Sequence, residues 1–144
     1  MFEAVAAEGR WVATEVPFDR RERARRFEQT IAVRDDATMF VALDGETVVG
    51  NLFIELASYG VADLGMSVAA DHRGQGVGSA LMEEGIAWAR RVGAHKITLQ
   101  VWPHNEAALA LYRKFGFEQE GLLRRHYPRK SGELWDAVVM GLLL

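Results

Sequence analysis

Apolar positions recur along the chain with two periods, and the switches between them mark out the elements. Residues Phe18–Val33 (FDRRERARRFEQTIAV) read as a helix, with Phe18 as a staple residue and Asp19 as the N-cap. Thr38–Leu43 reads as a buried strand, Asp44-Gly45 as a two-residue hairpin signal, and Thr47–Leu56 as the returning strand. Val61–Val68 (VADLGMSV) is another strand; Gly65 within it points to a bulge or a close backbone approach. A glycine-dense turn, Arg73-Gly74-Gln75-Gly76-Val77-Gly78, leads into a helix. That helix carries Val77, Ala80, Leu81, Trp88 and Val92 on one face, and Gly93 stops it.

Lys96–Trp102 alternates like a strand until Pro103 breaks it. Asn105 caps a second such helix, with Ala108, Leu111, Tyr112 and Phe115 on one face and an end at Gly116. Phe117–Tyr127 and Glu133–Leu144 read as a last pair of long strands, with Ser131-Gly132 near the turn. The order is helix, three strands, helix, strand, helix, two strands. That predicts a mixed α/β (α+β) layer, not a doubly wound parallel sheet.

At 144 residues the chain is long enough for one domain, and no linker, repeat or low-complexity tract divides it. We therefore expect a single domain over 1–144. A net charge of −3 lacks the bulk basic footprint of a nucleic-acid binder. Zero cysteines exclude a disulfide framework, a thiolate zinc site and a cysteine-acyl intermediate, and fit a cytoplasmic setting. The opening MFEAVAAEGRW is not a signal peptide, and no apolar run reaches the ~18 residues of a membrane span. Four scattered histidines have no metal-ligand spacing, so no metal is expected. His104 and His126 are placed near enough to reach an acceptor cleft. The five arginines of Arg20–Arg26 read first as a solvated helix face, and second as a patch for an acidic substrate or for nucleic acid.

The unit carrying chemistry is the strand, glycine turn and helix from Val61 to Val92. Small residues let backbone approach a ligand, and the free N–H groups of a helix start point at an anion. A P-loop needs Gly-Lys-Ser/Thr, but Gly78 is followed by Ser79-Ala80; a dinucleotide fingerprint needs its third glycine elsewhere than Gly78. What fits is R-x-x-G-x-G, filled by Arg73, Gly76 and Gly78. Further along, Asn105…Ala108…Leu111-Tyr112…Lys114…Gly116-Phe117 fits N-x-x-A-x-x-L-Y-x-K-x-G-F.

Together these two signatures resemble the GNAT N-acetyltransferase superfamily. The tail Glu120-Gly121…Arg124…Gly132-Glu133…Asp136…Met140 is similar to a pattern of bacterial members, and the resemblance covers residues 37–144. It implies a mixed, mostly antiparallel sheet flanked by helices, whose fourth and fifth strands (here Val61–Val68 and Lys96–Trp102) splay to admit the pantetheine arm of acetyl-CoA. It further implies pantetheine binding at Met66, Ser67 and Val68, and pyrophosphate binding at Arg73, Gly74, Gln75, Gly76, Val77, Gly78 and Ser79. Asn105 matches a residue contacting the cofactor arm. Tyr112 matches the frequent general acid, and a phenol of pKa about 10 suits that task. Members often use a glutamate base on one of the two splayed strands. The commonest position is Gln100 here, which leaves Asp63, matching an acidic residue of amino-acid and phosphinothricin acetylating members.

The same resemblance implies direct transfer of acetyl to a primary amine of a small molecule, an amino acid or amine-like compound, in a neutral to mildly acidic cleft lined by Trp102. A protein N-terminus as acceptor, a non-catalytic acyl-CoA-binding module and a nucleic-acid module on Arg20–Arg26 are the rival readings. Members usually begin with a strand and half a helix more than this chain, which starts midway through that helix at Phe2–Gly9. A native short front and a misassigned start both account for this. The usual first strand is then lacking, and the bare edge is open to a second copy, a homodimer.

Overall fold

The computed structural model describes residues 1–33 and 35–144, and only the backbone of Phe27 and of residues 30–33. Its elements are α1 (Phe2–Ala7), α2 (Arg20–Val33), β1 (Ala37–Asp44), β2 (Thr47–Leu56), β3 (Val61–Val68), α3 (Val77–Arg91), β4 (Lys96–Val101), α4 (Glu106–Lys114), β5 (Glu118–Pro128) and β6 (Leu134–Leu143). The six strands form one sheet in the order β1-β2-β3-β4-β6-β5. Every neighbouring pair is antiparallel except β3 and β4, which are parallel. This is the mixed sheet flanked by helices that the pattern predicts.

The core lies under α3 and α4. Leu81, Met82, Ile86, Trp88 and Ala89 of α3 and Leu109 and Tyr112 of α4 pack on Leu52, Ile54, Leu64, Ile97, Leu99 and Met140 of the strands. Ala80, predicted on that face, is exposed instead, because the buried stripe of α3 runs one position later, through Leu81, Met82 and Gly85. A Cβ at Gly85 would stand 3.1 Å from Leu52, so the absence of a side chain lets α3 lie close to β2. On the opposite face α1 buries Val5 and Ala6, and the ring of Phe2 meets that of Phe18 just ahead of α2. Asp19 caps α2 as expected, accepting from the backbone N–H groups of Arg21 and Glu22 at 2.8 and 3.0 Å.

Three expectations change in detail. Thr38–Leu43 is not a buried strand: β1 is the sheet edge, and Val41 and Leu43 are about half exposed (51% and 59%). The apolar run reads as burial, but an edge strand has a neighbour on one side only. The hairpin turn falls on Gly45-Glu46, one residue late, since Asp44 pairs with Thr47 and Gly45 takes φ +58°. Gly65 makes no bulge, because the β2–β3 register runs unbroken from Gly50↔Val68 to Leu56↔Ala62. Among the described residues no helix is long and apolar enough to cross a membrane.

Candidate active site

The parallel pairing of β3 with β4 covers only Val61–Asp63 against Lys96–Thr98. Beyond it the strands part: β3 stays with β2, and β4 stays with β6. The backbone groups of β3 that would bond β4 there have no strand partner, and buried backbone polar groups demand one. Into this split opens a cavity of about 720 Å³. It is lined from the helix face by Leu64, Met66, Val68, Val101 and Tyr112, and from the other face by Gly65, Ser67, Gln100, Trp102 and Tyr127. One continuous space thus passes through the sheet.

On the helix face the glycine turn sets its shape. Gly74 (φ +71°) and Gly76 (φ +88°) hold left-handed backbone that a side chain would strain. Gly76 is the N-cap of α3, and its carbonyl already accepts from Ala80. The N–H groups of Val77, Gly78 and Ser79 therefore have no partner within the helix, and those of Gly78 and Ser79 stand at the cavity. At Gly78 a Cβ would stand 3.0 Å from Leu111 and 3.6 Å from Met66, so the bare backbone keeps the cavity open. A Cβ at Gly65 would point into empty space, leaving room for a ligand to lie along β3. These features fit a pyrophosphate with a long thin arm.

The predicted cofactor residues meet here with two differences. Met66, Ser67, Val68, Gly74, Gly76, Gly78, Ser79 and Asn105 line the cavity; Gln75 and Val77 do not. Gln75 turns its amide to the Asp71 carbonyl (2.7 Å), and Val77 packs against the core. Arg73 lines the cavity but spends its guanidinium on protein. Nε donates to the Val68 carbonyl at 3.0 Å, and the fork donates to Glu8 at 2.9 and 2.7 Å, holding that carboxyl below its ordinary range. Arg73 thus ties the turn to the end of β3 and to Glu8. Asn105 accepts from Ala108 N–H (3.2 Å), the cap its type predicts.

Tyr112 is buried on α4 beside Phe117, and burial pushes its hydroxyl up to about 12. It is a weaker acid than a free phenol, and it remains a hydrogen-bond donor at any working pH. Asp63 is exposed by area and stands outside the cavity lining, two residues before Gly65 on the same face. Desolvation by the protein packed around its carboxyl raises its pKa, a bond from the Leu64 N–H opposes the rise, and Glu55 opposite it on β2 adds to it.

Several residues on the acceptor side were invisible to sequence reasoning. Residues 11–14 form a wall of the cavity, carried there from α1. Arg129, its side chain 3% exposed, holds that segment by donating to the carbonyls of Ala13 (2.9 Å) and Val12 (3.5 Å), with its guanidinium 4.5 Å over Trp135. Lys130 donates to Val16 (2.7 Å), and the ring of His104 meets the Arg10 carbonyl (2.9 Å). His104 and His126 do not line the cavity. Tyr127 donates to Gln100 Oε1 at 2.5 Å, and Trp102 packs edge-on to Tyr127 at 5.0 Å. Among the described lining residues the charged ones are Arg23 and Arg73, and none is a carboxylate. The cleft was expected to be neutral to mildly acidic; its described lining has no acidic residue, and Asp63 and Glu55 lie outside it. Four of the five arginines at 20–26 are solvated as predicted, and Arg23 alone turns inward. One signal for it existed, since a staple residue at N′ packs against N4, which is Arg23.

A sheet parted between two parallel strands, with a helix start offering free N–H groups on one face and a walled pocket on the other, is an arrangement that can seat two ligands in one space. The acetyltransferase (GNAT) family model matches residues 5–117, and the chain belongs to that family. It is an acetyl-CoA-dependent N-acetyltransferase. It is 36% identical over 123 residues to the L-amino acid N-acetyltransferase AaaT of Escherichia coli (strain K12), covering 79% of this chain and 73% of that one. The [ribosomal protein bS18]-alanine N-acetyltransferase of the same organism is also 36% identical, over 77 residues, 54% of this chain and 51% of that one. A GNAT acetyltransferase from Streptococcus pneumoniae superposes with a TM-score of 0.85 at 26% identity, over 99% of this chain and 89% of that one.

Proposed function

We propose that the chain, as one domain, acetylates the primary amine of an amino acid or similar small molecule by direct attack on the thioester. The observation carrying this is the cavity that runs through the β3/β4 split. The glycines at 74 and 76 and the N–H groups of Gly78 and Ser79 hold the pyrophosphate. Met66, Ser67 and Val68 hold the pantetheine arm with their backbone, and Asn105 flanks it. The amine enters between Gln100, Trp102, Tyr127 and segment 11–14.

The nitrogen lone pair attacks the carbonyl carbon, the C–S bond breaks, and the nitrogen sheds one proton while the sulfur gains one. Backbone N–H groups of β3 freed by the split stabilise the developing oxyanion. Holding both reactants in one cleft supplies the entropic gain. Tyr112 donates a hydrogen bond to the leaving sulfur. Asp63, with its raised pKa, takes the amine's proton through water, because it stands back from the lining.

A peptide N-terminus is the second reading, supported by the similarity to the ribosomal-protein enzyme. The wall at 11–14, pinned by Arg129, favours a small acceptor over an open peptide groove. The half-exposed edge of β1 supports pairing with a second copy; a monomeric mass by light scattering rejects that. A cytoplasmic setting fits the lack of cysteine.

The test is thermal unfolding with and without acetyl-CoA, then thiol release against amino acids, simple amines and short peptides. Saturation at 100 times the dissociation constant adds about 2.7 kcal/mol. Stabilisation with release only on small amines supports the reading. Release only on peptides selects the second. Stabilisation with no release on any acceptor points to a binding module.

A further inference from the structure

An irregularity in β5 delivers one side chain to the acceptor face. Leu123 stands opposite Ala137 and Tyr127 opposite Trp135, so three residues of β5, Arg124, Arg125 and His126, face the single Asp136 of β6. Continued without the two extra residues, the register would set Arg125, not Tyr127, opposite Trp135. The bulge is held in place. Asp136 Oδ1 accepts from the Arg125 N–H at 2.6 Å, and Arg125 takes φ +52°, a backbone region that strains a residue with a side chain. The result is Tyr127 at the cavity, its ring edge-on to those of Trp102 (5.0 Å) and His126 (4.9 Å). There its hydroxyl donates to Gln100 Oε1 at 2.5 Å. Gln100 lines the same face from β4, and Thr98, two residues before it, stands opposite Asp63 of β3. Burial raises the Tyr127 pKa, and the charge of nearby Asp63 adds to the rise.

A phenol oxygen carries one proton and can accept as well as donate. With that proton committed to Gln100, what it offers the cavity is an acceptor. We propose that Tyr127 and Gln100 seat the acceptor amine: the Tyr127 oxygen accepts a hydrogen bond from one amine N–H, and Gln100 is the positioning residue that keeps the phenol proton turned away. The inference rests on the reading that the amine enters on this face. A neutral primary amine has two N–H groups and one lone pair. One N–H held on Tyr127 leaves the lone pair for the thioester carbon, and the other N–H gives up its proton through water towards Asp63. Tyr127 keeps its own proton throughout, so it aligns the nucleophile without acting as the base. Gln100 cannot take a proton from the amine, and holding the phenol gives it a different task.

The experiment uses the full chain, saturating acetyl-CoA and thiol release. The acceptor is whichever L-amino acid, simple amine or short peptide the wild type turns over fastest. Tyr127→Phe keeps the ring and is expected to lower kcat/KM for the acceptor by roughly 10–100-fold, with the stabilisation by acetyl-CoA unchanged. Gln100→Leu frees the phenol proton and is expected to cost several-fold. In the Tyr127→Phe background the same change is expected to cost nothing further, because Gln100 acts through the phenol. Gln100→Glu keeps an oxygen for that proton and is expected to fall between the wild type and Gln100→Leu; this pair carries the test if Tyr127→Phe does not fold. Losses that multiply in the double variant overturn the proposal, since two separate wall contacts would behave so. Tyr127→Phe within about twofold of the wild type overturns it as well. A wild type that uses only peptides removes the small-molecule reading, and the same ratios, measured on the peptide, still decide the role of the pair. A wild type inert with every acceptor removes both.

Discussion

The two faces of the cavity are built differently. The donor face is made of local sequence: a turn of glycines, a helix start and a capped second helix, all within residues 64–112. The groups it offers a ligand are mainly backbone N–H groups, which any sequence permitting the turn supplies. The acceptor face is assembled from distant segments. Residues 11–14 are held there by Arg129, more than a hundred residues away, on the carbonyls of Val12 and Ala13, and Lys130 holds the carbonyls of Val16 and Pro17 just beyond them. Its distinguishing groups are side chains: Arg23, Gln100, Trp102 and Tyr127.

This contrast breaks most sharply at Tyr112. Tyr112→Phe removes only the hydroxyl and is expected to lower kcat by roughly 10²–10⁴-fold while acetyl-CoA stabilisation persists, read by single-turnover thiol release. Because the wild-type hydroxyl titrates at about 12, no alkaline loss of rate from its ionisation is expected below pH ~10. Gly78→Val attacks the donor face alone. Its branches meet Leu111 and Met66, so the fold is expected to lose about 1–3 kcal/mol and the acetyl-CoA shift to vanish, by thermal unfolding with and without ligand.

Arg129→Ala is the counterpart for the acceptor face. It strips the carbonyls of segment 9–13 of their donor, at a cost of about 1–3 kcal/mol. The acceptor KM is expected to rise several-fold while the acetyl-CoA shift stays. If both faces weaken equally, they are not independent.

Asp63→Asn gives the smallest stability change and sharpens the comparison through pH. The folded pKa of Asp63 is raised, so the folded chain holds its proton more tightly than the unfolded one. The associated stability is complete below the unfolded carboxylate pKa and is lost as pH rises through the folded value. Asp63→Asn is therefore expected to be slightly more stable than the wild type at neutral pH. If Asp63 is the base, the acid limb of kcat/KM lies above the ordinary carboxylate range and disappears in the variant.

The donor face was legible because its determinants are close in sequence and chemically restrictive. Gly76 stands where the backbone is left-handed, Gly78 where another side chain would strike Leu111, and Asn105 where a helix needs an acceptor for a free N–H. Ser131-Gly132 ended one strand and began another for the same kind of reason, with Gly132 at φ +89°. The period of 3.6 located α3 and α4, and alternation located β4, because one face of each must leave water; α2 is read from its staple, its cap and its helix-forming residues. Periodicity does not say how many neighbours a strand has. Thr38–Leu43 therefore passed for a buried strand although it is the edge.

Tertiary structure alone decided where β3 and β4 part, since that depends on which strands flank each of them. It alone brought Phe2 of α1 against Arg23, and nothing in the run RRERARR states that α1 will supply that ring. It alone made Arg129 a buried clasp, because its partners are backbone carbonyls, which carry no sequence signature. What the sequence by itself determined was the acetyl-CoA machinery, written in residues whose backbone geometry or cap admits few substitutes. The pocket that chooses the acceptor depends on long-range packing, and the energies that build it belong to pairs of residues that only the fold brings together.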